Sequence, residues 1–340
     1  MLRDYWYVAI WSGDLGQAPV ARTLLGEAIV LFRDASGRAH ALQDRCPHRA
    51  VPLSKGMVLD GRLQCPYHGL EFDGTGACVK VPGQDTIPPD ASVRAYPTIE
   101  KWRWVWVWIG DPAMADPALV PDFHWLEDPA WAAVTGEFTI KAGHELLLEN
   151  LHNHTHLQFV HRNTIGTDDI VSAKTKVQRV GDQIHVDRWL FDRAPPALFA
   201  RAGNFKGKVD RWFNSIFLPP TGVVLDIGCA DAGSGAPEGD RSRGIEIRSL
   251  HAVTPIDARN CRYFWAYVRN FALDQDQVGT MLREGARTTF LEDVDILEAQ
   301  QDSLDRMPDQ VFIDINVDAA PLQLKRLLNE LRMGPRAPVG

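Results

Sequence analysis

Cys46-Pro-His48 and, after sixteen intervening residues, Cys65-Pro-Tyr-His68 put one thiol and one imidazole into each of two short stretches. A zinc finger usually draws both cysteines from one turn and both histidines from another. A two-iron cluster held by two cysteines on one iron and two histidines on the other is served by two mixed loops of this kind. The prolines after both cysteines, and Gly69 after the last donor, suit tight loops whose backbone N–H groups can point at cluster sulfur. The competing reading is a zinc site made of the same two thiols and two imidazoles, and iron analysis separates the two.

Around these loops the chain reads as short strands with turn signals between them, at 23–26, 28–32, 38–42, 70–72, 78–81 and 102–109. The last alternates Trp104, Trp106 and Trp108 with Val105, Val107 and Ile109, so both of its faces should be covered. The stretch Gly110–Asp122 carries three prolines and no sustained period, which suits a connection. It predicts a boundary between a β-domain over 1–115 and a second domain over 116–340. There a helical stretch at 145–161 precedes strands at 184–191, 223–230, 245–253 and 262–270. Helices at 278–301 and 321–333 follow, the last with Asp318 as its cap and Gly334-Pro335 as its stop. Strands followed by helices in this order indicate an α+β fold.

With 36 basic against 44 acidic residues, a formal charge of −8 and no long basic run, the chain lacks the cationic face that nucleic acid requires. Asp4 interrupts any signal peptide, and no window approaches the roughly 18–20 apolar residues of a membrane span. The chain therefore reads as cytoplasmic, where thiols stay reduced. Five cysteines cannot all pair within one chain. Two belong to the metal motif, which leaves Cys78, Cys229 and Cys261 as reduced thiols.

A second constellation lies in Leu151-His-Asn-His-Thr-His-Leu-Gln-Phe-Val-His161. Two imidazoles and a carboxylate that leave coordination positions open form the facial triad of non-haem Fe(II) sites. His156 and His161 are five apart, about 140° on a regular helix, so the spacing predicts a distorted or terminating helix. His152 and His154 are alternatives, His152 and His156 having the more regular spacing. The later helix offers Glu292, Asp293, Asp295 and Glu298 as the carboxylate, although such a charge run is ordinarily a solvated face. No G-x-G-x-x-G follows a strand, so any nicotinamide or flavin chemistry has to come from another polypeptide.

The run from Cys46 to His68, continued by Gly69-Leu-Glu-Phe-Asp-Gly-Thr-Gly, resembles the oxygenase subunit of Rieske non-haem iron aromatic oxygenases of the vanillate demethylase, dicamba and toluenesulfonate methyl-monooxygenase type. The similarity extends from Tyr5-Trp-Tyr-Val-Ala through Gly110-Asp-Pro to Thr254-Pro. It implies an N-terminal all-β Rieske [2Fe–2S] domain held by Cys46, His48, Cys65 and His68, and a C-terminal antiparallel-sheet, helix-grip catalytic domain. Its histidine motif implies His156 and His161 as ligands of mononuclear Fe(II). A Glu-Asp pair followed five residues later by Glu298 implies Asp293 as the third, with Asp295 as fallback. Most relatives have Asp where Asn153 stands, linking an iron histidine to a Rieske histidine of a neighbouring subunit. Asparagine keeps the hydrogen bonding but cannot stabilise a protonated imidazole by charge.

The resemblance further implies a homotrimer, a separate flavin and iron-sulfur reductase that brings in NAD(P)H electrons, and oxidation of a methoxy or methyl group of an aromatic acid by O2. The stretches 206–214 and 247–255 combine cations with apolar and aromatic residues, and suggest Asn214, Arg248 and His251 as substrate contacts. Arg248 and His251, three apart in a strand, should face opposite sides. A ring-dihydroxylating dioxygenase shares both metal sites and is distinguished by a cis-diol product. A Rieske electron carrier needs only the first constellation.

Overall fold

Alternation of large and branched apolar residues generates the N-terminal sheets. The structure, a computed structural model, describes residues 1–162, 164–165, 173–195, 197–203, 205 and 207–334. The chain divides into two units, Met1–Val120 with Thr254–Asp257, and Pro121–Val253 with Ala258–Gly340.

The first unit consists of β1 (Tyr5–Trp11), β2 (Val20–Leu24), β3 (Glu27–Arg33), β4 (Ala39–Gln43), β5 (Met57–Leu59), β6 (Arg62–Gln64), β7 (Glu71–Phe72), β8 (Cys78–Lys80), β9 (Ala95–Tyr96), β10 (Thr98–Lys101) and β11 (Trp104–Ile109). They form three antiparallel sheets, ordered β1-β11-β10, β2-β3-β4-β9 and β5-β6-β7-β8. All six residues of β11 are buried, as its two-sided alternation requires. Val105, Val107 and Ile109 join one core with Tyr7, Ile29 and Leu31. On the other face Trp108 meets Trp6 edge-on at 5.4 Å, and the Trp6 and Trp108 indole N–H groups donate to the carbonyls of Asp116 and Asp111. The expected strand at 102–109 is shorter. Trp102 and Arg103 both have positive φ, and form the two-residue turn that joins β10 to β11. A second core contains Val30, Phe32, Leu42, Leu63, Phe72 and the thiols of Cys46 and Cys65.

The second unit is a helix-grip fold. Its strands are β12 (Ala132–Ile140), β13 (Thr175–Val180), β14 (Gln183–Arg193), β15 (Val209–Leu218), β16 (Gly222–Asp231), β17 (Gly244–Pro255) and β18 (Cys261–Arg269). One antiparallel sheet, ordered β12-β18-β17-β16-β15-β14-β13, contains them all. From β13 to β18 the chain meanders, and β12 closes against β18. The helices are α1 (His144–His152), α2 (Leu157–Val160), α3 (Ala197–Ala202), α4 (Asp276–Arg306) and α5 (Ala319–Arg332). Phe290 of α4 packs on His251, Tyr263, Trp265 and Tyr267, with ring centroids 5.3–5.6 Å apart, which makes that face of the sheet the inner one.

Sequence reasoning misses β1, β5, β6, β9 and β10 of the first unit and β12, β13 and β15 of the second. The last of these overlaps the stretch it reads as a cationic pocket segment, of which Lys206 lies outside the described residues. Asp318 precedes α5 as expected, but its carboxylate accepts from the Ile315 N–H and leaves the first turn of α5 uncapped by a side chain.

Candidate metal centres

The two Cys-His loops are built alike. Cys46 N–H donates to the Val51 carbonyl (2.9 Å) and Ala50 N–H donates back to Cys46 (2.9 Å). Cys65 N–H donates to Leu70 (2.8 Å) and Gly69 N–H to Cys65 (3.1 Å). In each loop the residue that closes the ring is left-handed, Ala50 at φ 58° and Gly69 at φ 75°. A Cβ on Gly69 would also meet Pro82 Cγ at 3.0 Å, so glycine suits that position twice over. The loops bring the two thiols into hydrogen-bonding contact and the His48 and His68 rings to 4.5 Å.

Burial pushes the Cys46 thiol up, and backbone N–H groups of His48 and Arg49 directed at it work the other way. Both cysteines are buried and both histidines exposed. Paired buried sulfurs with N–H donors aimed at them, and paired imidazoles on the solvent side, fit a two-iron cluster with thiolates on one iron and imidazoles on the other.

In the second unit α1 ends at His152. Asn153 leaves the helix (φ −98°, ψ 85°), and its side-chain carbonyl accepts from Thr155 N–H at 3.1 Å, starting a 3₁₀ turn over His154–His156. α2 then runs only to Val160. This broken path fits the five-residue spacing and brings the His156 and His161 Nε2 atoms to 3.3 Å. Asp293 Oδ1, from α4, lies 3.4 Å from the first and 3.2 Å from the second. Donors roughly 2.1 Å from one ion are separated by about 3.0 Å at octahedral and about 3.4 Å at tetrahedral angles, so this triangle fits a single metal ion.

Outer contacts fix the donors. The His161 Nδ1–H donates to Glu292 at 2.8 Å and the His156 Nδ1–H to the Asn153 carbonyl, so both rings turn Nε2 inward. Asn150 Nδ2 donates to Asp293 Oδ1 at 3.0 Å. Burial lowers the His156 pKa. In His161 it also opposes charge, but the adjoining Asp293 and Glu292 carboxylates outweigh it and the value rises. Asp295 is exposed, and Glu298 accepts from the Lys141 N–H, so neither joins the triangle. The role of Glu292 in orienting His161 is missed from sequence, where it is one acid in a charge run. Its adjacency to Asp293 was the available signal.

A Rieske [2Fe–2S] domain family matches residues 5–97, and the vanillate O-demethylase oxygenase C-terminal domain family matches residues 140–333. The chain belongs to the Rieske non-haem iron oxygenases. It is 36% identical over 335 residues to the toluene-4-sulfonate monooxygenase system iron-sulfur subunit of Comamonas testosteroni, covering 97% of this chain and 96% of that one. It is 38% identical over 304 residues to the dicamba O-demethylase oxygenase component of Stenotrophomonas maltophilia, covering 88% and 87%. Among solved structures it resembles dicamba monooxygenase bound to 3,6-dichlorosalicylic acid, with TM-score 0.92, 32% identity and 98% of each chain covered.

The three substrate contacts expected of this Rieske oxygenase do not come together. His251 is on the inner face of the sheet, fully buried, with Nε2 2.9 Å from Ser249 Oγ and Nδ1 2.6 Å from the Tyr263 hydroxyl. Both ring nitrogens are thus engaged, the one that carries the proton donating and the other accepting. Asn214 and Arg248 take the opposite face, because Asn214 pairs with Asp226 and Asp226 with Arg248, in register with one another and out of register with His251. Asn214 accepts from the Arg188 N–H at 2.9 Å. Arg248 is bonded to Asp226 and Glu246 between the rings of Trp125 and Trp131. Sequence reasoning separates Arg248 from His251 correctly, but had no signal that aromatic side chains cover the outer face.

Burial pushes the His152 and His251 imidazoles down to about 3. The unfolded chain therefore takes up protons first as pH falls, and each histidine subtracts stability from about pH 6.5 downward, by about 1.4 kcal/mol per pH unit. Urea unfolding at pH 7 and pH 5 should show this loss, and His251→Gln should flatten the pH slope by one histidine's share. An unchanged slope in that variant contradicts the assignment.

Proposed function

We propose that this chain is the terminal oxygenase component of a multi-component system that oxidises a methoxy or methyl substituent of an aromatic acid, by O-demethylation or methyl hydroxylation. The observation that carries the reading is the inward-facing triangle of His156, His161 and Asp293 in a chain that also holds the paired Cys-His loops. A Rieske electron carrier has no use for that triangle. In this reading Cys46, His48, Cys65 and His68 hold the cluster in the first unit, and His156, His161 and Asp293 hold Fe(II) in the second. When bound, the cluster supplies single electrons from a separate NAD(P)H-dependent flavin and iron-sulfur reductase, and the mononuclear iron uses them to activate dioxygen. The protein's own part is to fix the donors: Glu292 and the Asn153 carbonyl set the two imidazole tautomers, and Asn150 steadies Asp293.

The working assembly in this reading is a homotrimer. Among the described residues no helix is long and apolar enough to cross a membrane, and all five cysteines are free, in keeping with a reducing cytoplasm. Asn153, with His156, lines a groove of about 540 Å³ between α1, α4 and α5. Its side-chain oxygen already accepts from the Thr155 N–H and its backbone carbonyl from His156, so the side-chain NH2 is the group left to reach a neighbouring imidazole. If Asn153→Ala leaves single-turnover electron transfer and coupling unchanged, that linking role is wrong.

The function is tested by supplying the purified oxygenase with a surrogate reductase, NADH and O2, and offering 4-methoxybenzoate and toluene-4-sulfonate. Formaldehyde from the first identifies demethylation, and a hydroxymethyl product from the second identifies methyl hydroxylation. A cis-diol, or O2 consumption with no product from either compound, overturns the reading.

A further inference from the structure

The inner face of the second unit holds polar nitrogens that the fold does not use. His152 and His154 are both buried, at 1% and 3% exposure. His152 is tethered by Nδ1 to Ser215 Oγ at 3.1 Å, and among the described residues its Nε2 has no hydrogen-bond partner. Among the described residues His154 has no hydrogen-bond partner for either ring nitrogen, and it sets its ring edge-on to Phe213 at 4.6 Å. Buried polar groups in folded proteins are nearly always paired, and leaving one unpaired is costly. Leucine or phenylalanine would fill either place at less expense if packing were the whole purpose.

Their surroundings indicate what completes them. Phe213, Ser215 and Phe217 alternate along β15, and His152 and His154 lie across these three residues. Val186 of β14 pairs with Ser215, so Arg188, two residues on, shares the inner face beside Phe213. Arg188 is itself buried. Its Nε and Nη2 donate to Thr175 Oγ1 at 3.0 and 2.6 Å, which fixes the plane of the guanidinium. Its charge lies close enough to oppose a second charge on His154, and His154 is in turn close to His156 of the metal triangle. A fixed cation and unpaired imidazole nitrogens thus share one inner face, next to the triangle.

We propose that His152, His154 and Arg188 form an anion-recognition wall that seats the carboxylate or sulfonate of the aromatic acid and so aims its opposite substituent at the metal centre. This rests on the oxygenase reading and deepens it. The unpaired nitrogens are completed by the substrate's oxygens, while Arg188 selects for negative charge. His251, with both nitrogens already engaged by Ser249 and Tyr263, is not one of the wall residues.

The test is equilibrium binding under anaerobic conditions, with 4-methoxybenzoate, toluene-4-sulfonate and the uncharged, nearly isosteric 4-methoxybenzamide as probes. The protein should bind at least one anion about tenfold or more tightly than the amide. His152→Leu and His154→Leu should each weaken that anion by about tenfold while moving the amide by less than about threefold. His154→Gln, which restores an N–H donor, should recover most of the loss. Whichever anion binds more tightly assigns the wall to carboxylate or to sulfonate. The visible spectrum of the cluster and the iron content confirm that each variant is folded. Equal affinity for anion and amide in the unaltered protein, or equal weakening of both in the leucine variants, overturns the proposal. Anion discrimination that depends on these histidines, in a protein that turns over neither acid, leaves the wall standing and removes the oxygenase function. Turnover with discrimination unchanged in both leucine variants does the reverse.

Discussion

Asp293→Ala is expected to remove the mononuclear iron and abolish turnover, while the visible absorption of the cluster persists. Asp293 Oδ1 is the third corner of a triangle whose other corners are the Nε2 atoms of His156 and His161, at 3.4 and 3.2 Å. Without it two imidazoles remain, and Asn150 Nδ2 loses its acceptor. Losing an outer hydrogen-bond partner alone typically costs about 10–100-fold in metal affinity, so losing a donor should cost more than about 100-fold. Iron analysis should fall from about three to about two atoms per chain, the two being those of the cluster. Asp295→Ala, at an exposed position of the same helix, should change neither number. Glu292→Gln should fall between them, since an amide oxygen can still accept from the His161 Nδ1–H but without charge. Retention of the third iron in Asp293→Ala would mean that another carboxylate is the ligand.

The unequal clarity of the two sites in the sequence has a physical origin. Cys46, His48, Cys65 and His68 are local. Two short loops supply every donor, and residue type and spacing alone separate a mixed-ligand cluster from a zinc finger. His156 and His161 were legible as a pair because their spacing conflicts with a regular helix, and the chain resolves the conflict by breaking the helix at Asn153. Asp293 lay in a run of four carboxylates, from which only resemblance could choose, because the choice depends on how α4 is rotated against α1 and α2. Local pattern failed where both faces of an element are covered. In β17, Glu246 and Arg248 alternate with Ile245 and Ile247 as a solvent-facing stripe would, yet Arg248 lies over Trp125 and Trp131, so the pattern gives no sign that the outer face is covered. It failed as well at Trp102-Arg103, which turns the chain between β10 and β11 with two positive φ values and no Asn-Gly signature.

Cys65→Ser is expected to abolish the cluster's visible absorption and to make residues 1–120 protease-sensitive, while mononuclear iron stays at about one atom per chain. The thiols of Cys46 and Cys65 touch each other from the tops of two equivalent loops, and both side chains belong to the core that also holds Leu53, Leu63, Leu70 and Phe72. That core is small. The strands beside it are short, β7 having two residues and β5, β6 and β8 three each, too few for their ladders to hold the loops unaided. Metal ligation in such a unit contributes directly to its folding free energy. The seven-stranded sheet of the second unit and the helices that carry His156, His161 and Asp293 contain neither loop. Proteolysis followed by mass mapping should therefore cut within 1–120 and spare the seven-stranded sheet and the helices that carry His156, His161 and Asp293. Tyr67→Ala is the control: its ring is tilted against that of His68 at 4.0 Å from an exposed position, so the cluster should be kept. If Cys65→Ser retains its colour, or loses it with no gain in cleavage, the loops are held by their own hydrogen bonds and the cluster is not what folds them.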